Sequence, residues 1–304
     1  MEAVGQPPAL EPIPSPDAPL GPIVTSTTVG RRARLREVGA GLLRSPVFVV
    51  GAVVLLYWVF DAIFWQLYVP QDPQAFSTSL SAPSGAHWFG TDDLGRDVFS
   101  RVLAGASSVL TISVEATLLG LIGGIAVGLI AGYYRGIVDD VLMRAVDALL
   151  SFPGIIIAIL VLTVFGSSTL NVVLVIGIIF SPIVARTVRA AVLVEREREY
   201  VAAAKLLGAR GPFIMAREIL PNITGPIVVE ATVRLAYAIF TVATLSFLGF
   251  GIQPPSPDWG LTIAQERTVL QIAPWTVLFP ALALASLVIA INFVADGLKE
   301  VLES

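Results

Sequence analysis

The sequence contains no cysteine and a single histidine, His87. Disulfides, thiol nucleophiles, thiolate metal sites and polyhistidine metal sites are thereby excluded. Charge is scarce as well: 14% of the 304 residues are Asp, Glu, Lys or Arg, against about 25% in an ordinary soluble domain. A phosphate-cradling Gly-x-x-x-x-Gly-Lys-Ser/Thr run is missing, so the chain has no such loop to hold ATP. No His-Glu-x-x-His, serine triad or paired-carboxylate pattern stands in a catalytic context. The chain is therefore not expected to be an enzyme, and no metal site is expected on it.

What is abundant is apolar surface, with 55% of residues hydrophobic. A single globular core cannot bury that much. Long apolar runs give the alternative, since a helix needs about 20 such residues to cross the hydrocarbon layer. An all-α polytopic membrane protein with six spans is predicted, at about 47–68, 107–132, 141–165, 170–188, 223–249 and 275–295. Spans three and four are joined by a tight Gly166-Ser167-Ser168 turn, making an antiparallel hairpin. Residues 1–30 carry Pro7, Pro8, Pro12, Pro14, Pro16, Pro19 and Pro22 and read as a disordered tail. They lack the apolar region and cleavage site of a signal peptide.

The net charge of −4 says less than where the cations lie. With both termini on the cytoplasmic side, Arg31, Arg32, Arg34, Arg36 and Arg44 precede span one, and Arg135 and Arg144 follow span two. The segment between spans four and five adds Arg186, Arg189, Arg196, Arg198, Lys205, Arg210 and Arg217, and Lys299 closes the chain. Outside lie Arg96, Arg101 and Arg267, with Arg234 inside a span. The positive-inside bias selects this orientation. Residues 31–45 read as an interfacial helix whose arginines face lipid phosphates; membrane lipid, not nucleic acid, is their expected partner.

The segment between spans four and five carries the most information. From Glu195 to Leu207 the residues are good helix formers, and Gly208 is a natural stop. Pro212 suits the first turn of a second short helix, Pro221 opposes its continuation, and Asn222 suits a cap on the next span. Tyr200, Ala203, Ala204 and Leu207 recur at i, i+3, i+4 and i+7 and so share one helical face. Small alanines admit another backbone, and Tyr200 and Leu207 offer something to grip. A docking surface is the expectation.

The pattern Glu199-Tyr200-x-x-Ala203-Ala204-x-x-x-Gly208, followed by Ile219-Leu220-Pro221-Asn222, resembles the coupling loop of bacterial ABC importer permeases. Two further stretches narrow the resemblance. Residues 87–101, HWFGTDDLGRDVFSR, and 245–260, LSFLGFGIQPPSPDWG, resemble signatures of the dipeptide, oligopeptide and nickel permease family, second-permease type. The resemblance covers about residues 31–304. It implies a membrane subunit of an ATP-driven importer in a bacterial cell membrane. It also implies a second homologous permease (a heterodimer), two ATPase subunits holding ATP and Mg, and an extracytoplasmic peptide-binding protein. Glu199, Tyr200, Ala203, Ala204, Leu207, Gly208 and Pro221 would couple the spans to the ATPase. A glutamate common in relatives just before the second signature is Val242 here, so no substrate-binding carboxylate is assigned there.

Both signatures fall outside the membrane in this orientation. Gly90, Asp92, Asp93, Gly95 and Asp97 suit a turn followed by a short surface helix; Gly249, Gly251 and Pro254–Pro257 suit an extended loop. Such loops either receive a binding protein or cap the outer mouth. Ionisable residues at span depth are candidates for the translocation path: Glu115 on span two, and Glu230 with Arg234 on span five, a favourable i, i+4 pair. Asp61, between Trp58 and Trp65, reads as interfacial. Gly120, Gly124 and Gly128 read as a close-packing stripe. Two alternatives remain: the same architecture carrying nickel or haem, and a proton-coupled secondary transporter using Glu115 and Glu230.

Overall fold

The computed structural model describes Gly39 and residues 41–303. The predicted tail, 1–30, and the predicted interfacial helix as far as residue 38 lie outside the described residues; residues 41–44 are helical. Among the described residues the fold is helical throughout, and strand pairing is limited to one isolated Thr91–Asp97 bridge.

Helix α1, Pro46–Tyr68, starts on Ser45, whose side chain caps the amide of Phe48, with Pro46 in the first turn. Its large apolar residues, among them Val53, Leu56, Phe60, Ile63 and Leu67, are exposed, the distribution of a helix bathed in lipid. Asp61 is fully buried within the protein and accepts a short hydrogen bond from the Tyr68 hydroxyl.

Helix α2, Val98–Tyr134, runs 37 residues, about 55 Å at 1.5 Å per residue. It begins well before the predicted second span, on an Asp97 cap to the Ser100 amide. Its first turns are shielded by protein: Val98, Val102, Ala106 and Val109 cluster with Trp58, Trp259 and Leu287. The short separate surface helix expected after Asp97 is absent for this reason; the chain enters α2 directly.

The predicted third span is broken. Helix α3, Gly136–Leu150, and helix α4, Gly154–Phe165, meet at 81°. Pro153 has no amide to donate and stands extended ahead of α4, which stops α3 from running through. Alone, the 12 residues of α4 span about 18 Å, short of the ~30 Å hydrocarbon layer. Asn171 then donates from its side-chain amide to the carbonyls of Phe165 and Gly166, pinning the hairpin turn into helix α5, Thr169–Glu195. Among the described residues, five helices are long and apolar enough to cross a membrane singly, and the bent pair makes a sixth span if it counts as one.

Helices α2 and α5 form the most extensive contact in the molecule. Gly120, Gly124, Gly128 and Gly132 lie along α2 against Phe180, Val184, Ala185 and Val192 of α5, with no room for a Cβ at Gly124. The glycine stripe is a packing seam. Helix α6, Glu199–Leu206, is followed by an irregular run to Asn222, then helix α7, Thr224–Phe247, helix α8, Trp259–Glu266, and helix α9, Trp275–Glu303. Residues 69–97 and 248–274 gather at one end of the bundle, here called the cap end. The α5–α7 connection lies at the other, arginine-rich end.

Candidate functional site

At the arginine-rich end, α5 closes on Arg196, whose guanidinium donates to the Tyr133 carbonyl at 2.7 Å and the Gly132 carbonyl at 3.3 Å. A cation on the last carbonyls of α2 satisfies them and suits the negative end of the helix. Arg189 ties α5 to α3 through both oxygens of Asp139, at 2.5 and 2.6 Å. Residues 196–198 interrupt the predicted run from Glu195, and α6 occupies only Glu199–Leu206. Gly208, at φ +77°, ends it. The Gly208 amide reaches the Lys205 carbonyl and the Ala209 amide the Ala204 carbonyl, both at 3.0 Å, the paired bonds of a Schellman stop.

The faces of α6 correct the sequence reading. Val201 is wholly buried, on a floor of Val184, Val188, Val192, Ile214 and Ile219, with Tyr200 and Ala204 packed against it. Tyr200 therefore faces inward: its hydroxyl donates to Glu195 Oε1 at 2.9 Å and accepts from Asn222 Nδ2 at 3.3 Å. Burial, aided by the Glu195 carboxylate, pushes the phenol up to about 12. The outward face is Glu199, Ala202, Ala203 and Leu206, continued by Leu207 and Gly208. Leu206 and Leu207 are 89% and 88% exposed. Leu207 escapes the helical phase because it is already the C-cap, at ψ 4°.

Pro212 stands in the first turn of the helical step Gly211–Phe213, followed by a π-helical stretch, Ile214–Ile219, and the turn Leu220–Asn222. Pro221 sits at the start of that last turn. A widened turn ahead of it relieves the clash a proline ring makes with the carbonyl four residues back. Asn222 does not cap α7: Ile223 holds that position without a side-chain bond, and Asn222 donates instead to Glu218 O at 2.7 Å.

At the cap end the two signature stretches are woven together. Asp92, buried, accepts from the amides of Leu94 and Arg96 and from Arg96 Nε at 2.7 Å. Asp97 pairs with His87 Nδ1 at 2.9 Å while capping α2. Trp259, fully buried, donates to the Val102 carbonyl at 2.8 Å and meets Trp58 edge-on. Arg101, also buried, reaches Asp92 at 3.6 Å and Thr262 at 3.4 Å. Asp92, Arg96, Asp97 and Arg101 of the first signature thus turn inward to build the cap, while Asp93 stays exposed.

Glu266 is an electrostatic exception there. It is fully buried, accepts only from the Asp93 amide at 3.3 Å, and has an unpartnered second oxygen. Burial, with Asp93 and Asp92 beside it, pushes its carboxyl up to about 8. A carboxyl whose folded value is raised keeps its proton in the fold after losing it in the unfolded chain. Stability is then full below the unfolded value near 4.5 and falls as pH climbs toward 8. Glu266→Gln is expected to flatten that fall. Wild type and variant should melt together in detergent at pH 5, with the variant melting higher at pH 8.5.

The candidate path residues separate. Arg234 Nε lies 2.8 Å from Glu230 Oε1, the Thr187 hydroxyl donates to Glu230 Oε2, and the guanidinium lies 4.9 Å from the Tyr237 ring. That is a mutual pair within α7, tied to α5 by Thr187. Glu115 is not part of it: it is exposed and has no hydrogen-bond or ion-pair partner among the described residues. Val242 is fully buried among apolar neighbours.

Residues 124–304 match the family model described as "Binding-protein-dependent transport system inner membrane component". The chain belongs to this family. The permease is 39% identical over 273 residues to the dipeptide transport system permease protein DppC of Alkalihalophilus pseudofirmus, covering 88% of this chain and 89% of the relative. It is 38% identical over 285 residues to the glutathione transport system permease protein GsiD of Pectobacterium atrosepticum, covering 93% and 94%. Among solved structures, a chain of the inward-facing MetNI methionine ABC transporter superposes with a TM-score of 0.55 at 20% identity. That alignment covers 66% of this permease and 96% of that chain, a likeness of fold. The permease is a multi-pass membrane subunit of an importer of this kind.

Sequence reasoning missed three features. The α3–α4 bend was signalled by Pro153-Gly154. The Arg189–Asp139 clamp carried no local signal, its partners being 50 positions apart. A hydroxyl-lined cavity at the cap end is built from three separate segments, and only the Ser107-Ser108 and Ser167-Ser168 pairs hint at it.

Proposed function

We propose that this permease is one of two homologous membrane subunits of an ATP-driven peptide importer, with α6 as the helix that docks on an ATPase subunit. The observation that carries the reading is the outward face of α6. Two leucines stand almost fully exposed beside two alanines on a helix whose other face is locked onto a buried floor. An exposed apolar ridge on a rigid base marks a contact with another protein. Glu199, Ala203, Leu207 and Gly208 are the contact residues. Tyr200 and Ala204 hold the helix from beneath, and Pro221 with the π-helical turn joins it to α7.

ATP and Mg belong on the ATPase partners, and movement of α6 passes to α5 and α7 through the Val201, Ile214 and Ile219 floor. The concentration of arginines around α6 supports a cytoplasmic position for this end and for both termini. The cap end then faces outward, where a peptide-binding protein delivers cargo. A peptide cargo is supported by the relatives named for dipeptide and glutathione transport.

The absence of cysteine allows a direct test. Ala203→Cys in the assembled complex should crosslink to an ATPase subunit; no crosslink from any position between Glu199 and Gly208 defeats the docking reading. Uptake of labelled di- and oligopeptides, in cells with and without the gene and with redundant carriers removed, sets the cargo. Unchanged uptake would turn the same architecture toward nickel or haem.

A further inference from the structure

At the cap end lies an open cavity of about 490 Å³, within the usual range for small-ligand sites. Ser108 and Thr111 of α2 line it, with Ser168 and Thr169 where α5 begins and Gln253 and Ser256 after α7. Ser108 and Ser256 lie 3.3 Å apart, joining two of its walls. Hydroxyls both donate and accept, and the Gln253 amide adds an acceptor and donors. Such a lining meets a peptide main chain in either direction without reading its side chains.

Below the cavity the same face of α2 continues through Glu115, Leu118, Ile122, Ala126 and Ile130, all exposed. Thr111, on the cavity wall, and Glu115 are one turn apart on the same exposed face of α2, which sets Glu115 just below the cavity. Glu115 lies next to the midpoint of α2 and has no ionic partner among the described residues. An unpaired carboxylate at that depth costs several kcal/mol against lipid, so the face it occupies is hydrated or opposed by charge. Leu118 and Ile122 replace it one and two turns further on.

We infer that the hydroxyl-lined cavity and Glu115 form an entry subsite for the cargo, the hydroxyls holding the peptide main chain and Glu115 its terminal ammonium. The assignment rests on the peptide reading above and specifies where in this chain the peptide first binds. It makes the cavity selective for a free amino terminus and tolerant of side-chain sequence.

The test uses the intact complex with its binding protein in proteoliposomes, with dialanine as cargo and partner subunits free of exposed cysteine. Thr111→Cys should react with a membrane-impermeant cationic thiol reagent added from the cap side. Dialanine during turnover should slow that reaction about threefold or more, while Ile130→Cys, lower on the same stripe, should show no such protection. Glu115→Gln should assemble normally and import dialanine about tenfold more slowly, the loss of one charge-assisted contact, with Glu115→Asp retaining most of the rate. Thr111→Cys unreactive, or equally reactive with and without dialanine, while wild type imports it, overturns the subsite and leaves the peptide reading standing. So does an unimpaired Glu115→Gln complex. A wild-type complex that imports no peptide overturns the peptide reading and the subsite together.

Discussion

Replacing Ala203 with tryptophan is expected to reduce ATP-driven uptake to background while the chain stays folded. Ala203 is exposed on α6, so the substitution removes no buried contact, and the helix-propensity cost is below about 1 kcal/mol. The effect falls on the partner instead. An eight-residue helix is only about 12 Å long, so a docked protein has little room to recover lost contact elsewhere. Alanine at the centre of that surface permits close approach of a backbone. An indole there holds the two surfaces apart and strands Leu206 and Leu207 outside the pocket that should cover them. Co-purification of the ATPase subunits and uptake in proteoliposomes should fail together, while thermal stability of the permease in detergent should hardly change. Normal uptake by the variant would remove α6 from the coupling pathway. Val201→Ala is the complementary case. It opens a cavity under the same helix, so it should lower stability by about 1 kcal/mol before it touches docking.

The contrast between Tyr200 and Leu207 shows where sequence reading succeeds and stops. Periodicity identified α6 as a short amphipathic helix ending at Gly208, and the structure has that helix and that stop. Periodicity also grouped Tyr200 with Leu207, because both fall on one face of an ideal helix. Which face is buried, however, is set by α5 and the π-helical turn beneath, through Val201, Ile214 and Ile219. The helix ends one residue too soon for Leu207 to follow Tyr200 inward. The same limit applies along the bundle. Long apolar runs reveal helices because hydropathy sums along the chain, so α1, α5 and α7 were legible. A bend is invisible to such a sum, and the α3–α4 break went unread although Pro153 announced it. Cavities gathered from three segments, and pairs such as Arg189 with Asp139, depend on which helices meet, which a single sequence does not display. The signatures at residues 87–101 and 245–260 were legible as patterns, but their meaning changed: Asp92, Arg96 and Asp97 are spent on holding the cap.

Gly124→Leu should have the largest effect on the protein itself, leaving little folded permease in the membrane. A Cβ at position 124 would stand 2.4 Å from Val184 Cβ and 2.8 Å from the Ser181 carbonyl, so even alanine forces a shift, and the obstacle includes backbone. Gly120 above and Gly128 below are also crowded, at 3.0 Å from Phe180 Cβ and 2.7 Å from the Ala185 carbonyl. The seam therefore cannot open at one point without opening along its length. Overpacking of a single tight site costs about 1–3 kcal/mol where side chains can yield. Here rigid helices must separate, and membrane helix association depends on this close packing because lipid supplies no hydrophobic drive to replace it. Coupling would suffer too, since Val184, Val188 and Val192 of α5 are at once the wall of the seam and the floor beneath α6. The measurement is yield and elution profile in detergent against Gly85→Leu, a position with nothing within 4 Å of an added Cβ. Gly124→Ala paired with Val184→Gly should regain part of the folded protein lost by Gly124→Ala alone. That non-additivity would locate the damage in the contact between these two positions, whereas a normal yield of Gly124→Leu would show that α2 and α5 do not depend on the seam.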